Sequence, residues 1–109
     1  MGADQRVAER RLIKAKALVA VGEGGPVAAQ TIDISLHGIG ITMPHPVKPG
    51  QQAQIEFDLY HDGKSHPVRS LAKVTHCIFG GGAFRAGFEF SFVEPKAMVA
   101  ITNFVRSIR

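Results

Sequence analysis

The run Ala83-Phe84-Arg85-Ala86-Gly87-Phe88-Glu89-Phe90-Ser91-Phe92-Val93 places Phe84, Ala86, Phe88, Phe90 and Phe92 at alternate positions, the longest such pattern in the chain. Successive side chains of a strand point to opposite faces, so this period of two predicts a strand with one face buried. The same period recurs upstream. Ile13, Ala15, Ala17, Val19 and Val21 share one face with Lys14 and Lys16 opposite, and Ile39, Ile41 and Met43, then Ile55, Phe57 and Leu59, form further apolar faces. Gly and Pro punctuate the chain between these runs, at 22–26, 44–50, 62–63 and 80–82. Tyr60-His61-Asp62-Gly63-Lys64 carries the Asp-Gly signal of a tight hairpin. Gly80-Gly81-Gly82 lacks the Gly-Lys-Ser/Thr of a phosphate loop and is read as a second hairpin bend. Strands are expected near 11–21, 27–34, 38–43, 51–60, 66–79 and 83–93.

After Glu94-Pro95 the period lengthens. Met98, Ile101, Phe104, Val105 and Ile108 fall on one side of a helix expected over 95–108, and Pro95 suits its first turn. The predicted fold is all-β with a C-terminal helix, a six-stranded antiparallel β-barrel, because closure removes exposed sheet edges.

At 109 residues, 45% of them hydrophobic, the chain is expected to form one domain. No apolar run approaches the roughly 18 residues needed to span a bilayer, so membrane insertion is not expected. The start, Met1-Gly2-Ala3-Asp4-Gln5-Arg6, resembles neither a secretion signal nor a myristoylation motif, and a single cysteine, Cys77, rules out an internal disulfide framework. A cytoplasmic location is the expectation. The net charge of +4 points to an anionic partner. Most of it is local: Arg6, Arg10, Arg11, Lys14 and Lys16 against Asp4 and Glu9 leave +3 within residues 1–16. Residues 1–11 are therefore read as a flexible basic N-terminal arm and 12–109 as the barrel with its helix.

Within the second and third expected strands lies Thr31-Ile32-Asp33-Ile34-Ser35-Leu36-His37-Gly38. If Ile32 and Ile34 face the barrel interior, Asp33 and Ser35 stand outward side by side, and Gly38 follows where the chain turns. A D-x-S-x-x-G string alone is ordinary turn chemistry and arises by chance in about one chain in twenty of this length. Its weight comes from Arg6-Val7-Ala8-Glu9-Arg10, an R-x-x-x-R followed at once by Arg11 and leading into the first strand.

The two motifs in this order resemble the PilZ domain family, bacterial receptors for cyclic di-GMP. The six-strand pattern, Gly87-Phe88-Glu89-Phe90 in the last strand and the closing helix extend the likeness over nearly the whole chain. The resemblance implies a barrel of the split-barrel type and a sensor domain without catalytic residues. Its ligand would be cyclic di-GMP, with no cofactor or metal and an unidentified downstream protein partner, in regulation such as that of motility or biofilm. It implies that Arg6 and Arg10 clamp guanine and phosphate, that Asp33 and Ser35 hold one guanine, and that Gly38 keeps the turn open. Arg11 would support a phosphate. Gln5 stands where the family tunes how many ligand molecules stack, and His37 and Lys73 are secondary candidates beside the site. The arm would order over the ligand and alter the surface shown to a partner.

The chemistry suits such a ligand independently. An arginine fork matches both phosphate and the O6/N7 edge of guanine, which a lysine cannot do. A carboxylate at Asp33 can accept from guanine N1–H and N2–H, while the Ser35 hydroxyl and backbone N–H groups near Gly38 can complete the contacts. Other readings fare less well. His37, His45, His61, His66, His76 and Cys77 show no metal-ligand spacing, and adjacent His76 and Cys77 should face opposite sides of a strand. No cofactor fingerprint or nucleophile–base arrangement suggests an enzyme. A barrel binding single-stranded nucleic acid needs exposed aromatics; here there is no Trp, one Tyr, and Phe84, Phe88, Phe90 and Phe92 follow the core phase, so neither DNA nor RNA is expected. A PilZ-like adaptor that binds proteins without nucleotide stays open as the alternative.

Overall fold

A computed structural model describes residues 9–107. The strands are β1 (Arg11–Leu12), β2 (Lys16–Val21), β3 (Val27–Ile34), β4 (Gly38–Met43), β5 (Gln52–His61), β6 (Lys64–Gly80) and β7 (Ala83–Val93), and the helix α1 is Pro95–Arg106. All pairings are antiparallel, in the order β1-β3-β2-β5-β6-β7-β4, and a further β3–β4 pairing closes the six long strands into a barrel. Closure leaves no long edge for intermolecular pairing.

The first expected strand is interrupted. Thr31, 3% exposed, replaces part of the ladder with its side chain: its hydroxyl accepts from Ala15 N at 2.8 Å and lies 2.9 Å from the Ile13 carbonyl to which it donates. Residues 13–15 are thereby held against β3 although β1 and β2 are separate strands. Both hairpins use two residues with positive φ, Asp62-Gly63 and Gly81-Gly82, the turn geometry whose twist matches the strands.

The interior is filled from alternate positions of β2, β4, β5 and β6, including Val19, Ile39, Ile41, Ile55, Leu59 and Val74, each at most 1% exposed. Helix α1 packs against β5 and β6 and adds Ala97, Ala100, Ile101, Phe104 and Val105 to the core; Ile108 lies outside the described residues. Its C-terminus is secured from far along the chain. Arg11 Nη1 donates to the Phe104 carbonyl and to Ser107 Oγ, and the guanidinium lies 4.3 Å from the centroid of the Phe104 ring. A cation there complements the helix dipole.

Three bulges alter the predicted phase. In β3 the register jumps between Thr31 and Asp33, leaving Ile32 without a partner on β4; in β6 it jumps between Val74 and His76, leaving Thr75 over. The third lies at Ser91 of β7, between the pairs Ala72–Phe90 and Leu71–Phe92. An extra residue turns two successive side chains outward. Ile32 therefore does not point into the core as expected, and Phe92 is 54% exposed rather than turned to the core with Phe84, Phe88 and Phe90. His76 and Cys77 do part as read, His76 outward and Cys77 packed against the core.

Candidate functional site

Strands β3, β4, β7 and β6 lie side by side, and one row of Cα partners crosses all four: Asp33–Gly40–Gly87–His76. With strands about 4.8 Å apart, the outer two backbones are about 14 Å from one another, and between them the floor has no side chains. The bulges at Ile32 and Thr75 flank this floor. Each raises a pair of residues, Ile32 with Asp33 on one side and Thr75 with His76 on the other, into a wall. The result is an open trough of about 770 Å³, within the range of small-molecule sites.

The glycines answer to contacts rather than to turns. A Cβ at Gly40 would stand 2.6 Å from Asp33 Oδ1, so its absence lets the carboxylate lean over β4. A Cβ at Gly87 would collide with the His76 ring. Gly38 is different: there the obstruction is the Phe88 carbonyl, so this glycine admits the backbone of β7. Its expected role of holding a turn open is corrected accordingly; no positive φ is required of it.

Arg10 reaches the trough from the chain just before β1. Its Nη2 lies 3.1 Å from Asp33 Oδ1 and its Nη1 3.3 Å from Ser35 Oγ, a fork that ties the end of the described arm to the motif on β3. The Arg10 side chain stays 44% exposed and that of Asp33 29%. An ion pair this accessible holds about 0.2–1 kcal/mol, little enough for a ligand to replace it. Ser35 departs from expectation. It is fully buried rather than outward beside Asp33, and its hydroxyl accepts from the backbone N–H groups of His37 (3.1 Å) and Gly38 (3.2 Å). It organises the turn between β3 and β4 in the manner of a Ser turn, and it touches the site through Arg10.

The remaining candidates divide. His37 is exposed and lines the trough. Lys73 does not line it, although it pairs across the sheet with Glu89, which does. Arg11, expected to assist with phosphate, is instead directed to the end of α1. Arg6 and Gln5 lie outside the described residues. His76 and Arg85, both lining the trough, were missed. Nothing local in the sequence marks them; the register of β6 on β7, β7 on β4 and β4 on β3 brings His76 opposite Asp33, and Arg85 reaches the trough from the neighbouring row, between Ile78 and Thr42. Of the exposed aromatics, Tyr60, Phe79 and Phe92, none lines the trough. Among the described residues no group of three or more His, Cys, Asp or Glu is placed to hold a metal ion, and no helix is long and apolar enough to cross a membrane.

The barrel with its terminal helix, carrying an arginine–aspartate fork over a glycine floor, places the chain in a known class of small β-barrel domains. The PilZ domain family model matches residues 4–107, and the chain belongs to that family. Solved structures with the same fold include the Bacillus subtilis inhibitor of motility MotI, at TM-score 0.81 and 13% identity over 92% of this chain and 49% of that one. The PilZ domain of YcgR from Escherichia coli, described with cyclic di-GMP, has TM-score 0.67 and 17% identity over 95% of this chain and 91% of that one. PlzA of Borreliella burgdorferi, in complex with cyclic di-GMP, has TM-score 0.64 and 15% identity over 96% of this chain and 43% of that one. The chain thus spans about half the length of MotI and less of PlzA. No curated protein sequence matches it.

Proposed function

We propose that this protein is a cyclic di-GMP receptor that binds the dinucleotide in the β3–β4–β7–β6 trough and passes the signal to a partner protein. The observation that carries the reading is the fork of Arg10 on Asp33 and Ser35 at the edge of a glycine floor. It sets an arginine that matches phosphate or guanine O6/N7 beside a carboxylate that accepts from guanine N1–H and N2–H. Membership of the PilZ family, and the cyclic di-GMP in the YcgR and PlzA structures, support the same ligand. Ligand would take over the Arg10 fork, with Ser35 fixing the turn beneath it. Residues 1–11, carrying Arg6 and Gln5, would close over it and present a changed surface, the protein acting in the cytoplasm without chemistry of its own.

Calorimetric titration with cyclic di-GMP, linear diguanylate and a short single-stranded oligonucleotide tests this. The cyclic ligand should bind best, and Arg10→Ala and Asp33→Ala should each weaken it by about 1–3 kcal/mol. No heat from the cyclic ligand at high micromolar concentration would overturn the reading in favour of an adaptor that binds only protein. Preference for the oligonucleotide would overturn it in favour of a nucleic-acid barrel.

A further inference from the structure

The Asp33 end of the trough has a counterpart that no motif announces. At the other end of the same row the His76 imidazole leans across β7, into the space a Cβ on Gly87 would fill; its Nδ1 and Nε2 lie 2.7 and 2.9 Å from that position. Thr75 Oγ1, on the residue extruded by the bulge, is 3.1 Å from His76 Nδ1 and fixes the ring from behind. A glycine inside a strand costs conformational entropy and leaves a gap in the outer surface. An exposed histidine directed to solvent would need no such gap, since nothing would crowd it. Here Gly87 serves the ring. It lets an aromatic group lie over the sheet, facing the carboxylate that Gly40 admits from the opposite side. Arg85, two residues before Gly87, and Glu89, two residues after it, line the same trough.

We infer that His76 is a second ligand-contacting residue of this site, its ring stacking on a base of the bound dinucleotide, and that Gly87 is the positioning residue that puts it there. The inference rests on the cyclic di-GMP reading of the trough. Histidine is among the side chains on which unstacked bases settle, and such stacking tolerates replacement by another aromatic but not by a methyl group. A ligand with two bases then meets a wall at each end of the glycine floor: the Arg10–Asp33 fork at one and the His76 ring at the other.

The test is calorimetric titration of cyclic di-GMP into the wild type, His76→Ala, His76→Phe, Gly87→Ala and the double variant His76→Ala/Gly87→Ala, with thermal unfolding of each. His76→Ala should weaken binding about tenfold, and His76→Phe should recover most of that loss. Gly87→Ala should weaken binding when His76 is present and add nothing when it is absent, because the methyl group acts only by displacing the ring. Unchanged affinity in His76→Ala, while Arg10→Ala still loses binding, would overturn the inference and leave the receptor reading standing. A loss in His76→Phe equal to that in His76→Ala would also overturn it, since stacking would then not be the contact. If the wild type takes up no cyclic di-GMP, the receptor reading and the inference fall together. Exposed His76 carries no core packing, so its variants are expected to fold and keep the comparison readable even if Gly87→Ala lowers the melting temperature.

Discussion

Along β5, exposed and buried residues alternate without a break from Gln52 to Tyr60, whereas β3, β6 and β7 each interrupt the alternation, at Ile32, Thr75 and Ser91. The regular side of the barrel supplies Ala53, Ile55, Phe57 and Leu59 to the core and presents single, separated residues outside. A strictly alternating strand can do no more, because its period sends every second side chain inward. The bulged side gives up that economy and gains adjacent outward pairs. Two of those pairs, Ile32–Asp33 and Thr75–His76, wall the trough; the third turns Phe92 out beside Leu71, away from it. Regularity makes the scaffold, and the departures from it make the candidate site.

The comparison is broken most severely by removing volume on the regular side. Ile55 is fully buried between the outward residues Gln54 and Glu56. Ile55→Ala should destabilise the domain by about 2–5 kcal/mol through lost burial and the cavity left behind. Urea denaturation measures the loss, and the affinity of the folded protein for cyclic di-GMP should be unchanged. A weakening of binding comparable to that of Asp33→Ala would mean that the two sides are not separable.

A smaller effect distinguishes two glycines on one strand of the bulged side. A methyl group at Gly38 meets the β7 backbone, which cannot move without disturbing the ladder, so Gly38→Ala should cost about 1–3 kcal/mol of stability. At Gly40 the obstacle is the end of the Asp33 side chain, which can swing away. Gly40→Ala should cost less than about 1 kcal/mol in stability, yet it should weaken cyclic di-GMP about as Asp33→Ala does. Denaturation curves and titrations of the two variants should therefore rank them in opposite orders. The same ranking in both measurements would show that Gly40, like Gly38, only holds strands together.

These contrasts also mark how far the sequence could be read. Strand β5, both two-residue hairpins and the helix face follow from period and turn chemistry, which are local. Arg10 and Asp33 could be singled out because each sits in a short motif with a definite spacing. The bulges could not be foreseen: one extra residue in a strand leaves the local composition unchanged while reversing which face follows. That is why alternation places Ile32 and Phe92 inside although neither is; Ser35 departs for a different reason, because β3 ends at Ile34 and the hydroxyl is drawn under the turn by the His37 and Gly38 N–H groups. His76 and Arg85 were hidden for a related reason. The place of His76 opposite Asp33 depends on three successive strand pairings between segments far apart in the chain, and that of Arg85 in the trough on the pairings of β7 with β6 and β4.

A further contrast comes from the two arginines whose side chains part company at the start of β1. Arg10 turns to Asp33 and Ser35 at the trough; Arg11, the next residue, turns to the C-terminal end of α1. They carry the same charge and stand together in a basic segment, yet their side chains meet different partners, one at the trough and one at the end of the helix. Arg11→Ala removes a charge-assisted hydrogen bond to the Phe104 carbonyl, the contact with Ser107, and the cation over the Phe104 ring. Because the site is partly exposed and these contributions overlap, the expected loss is about 1 kcal/mol of stability. Arg11→Lys should restore only part of it, since an ammonium keeps the charge at the helix end but cannot fork between two acceptors while lying flat on the ring. Neither variant should alter cyclic di-GMP affinity, whereas Arg10→Ala should lower affinity with little change in the denaturation midpoint. If Arg11→Ala instead weakens the ligand and leaves stability alone, Arg11 serves the phosphate after all. The arm would then have to lift Arg11 off the helix when ligand binds, coupling α1 to the site.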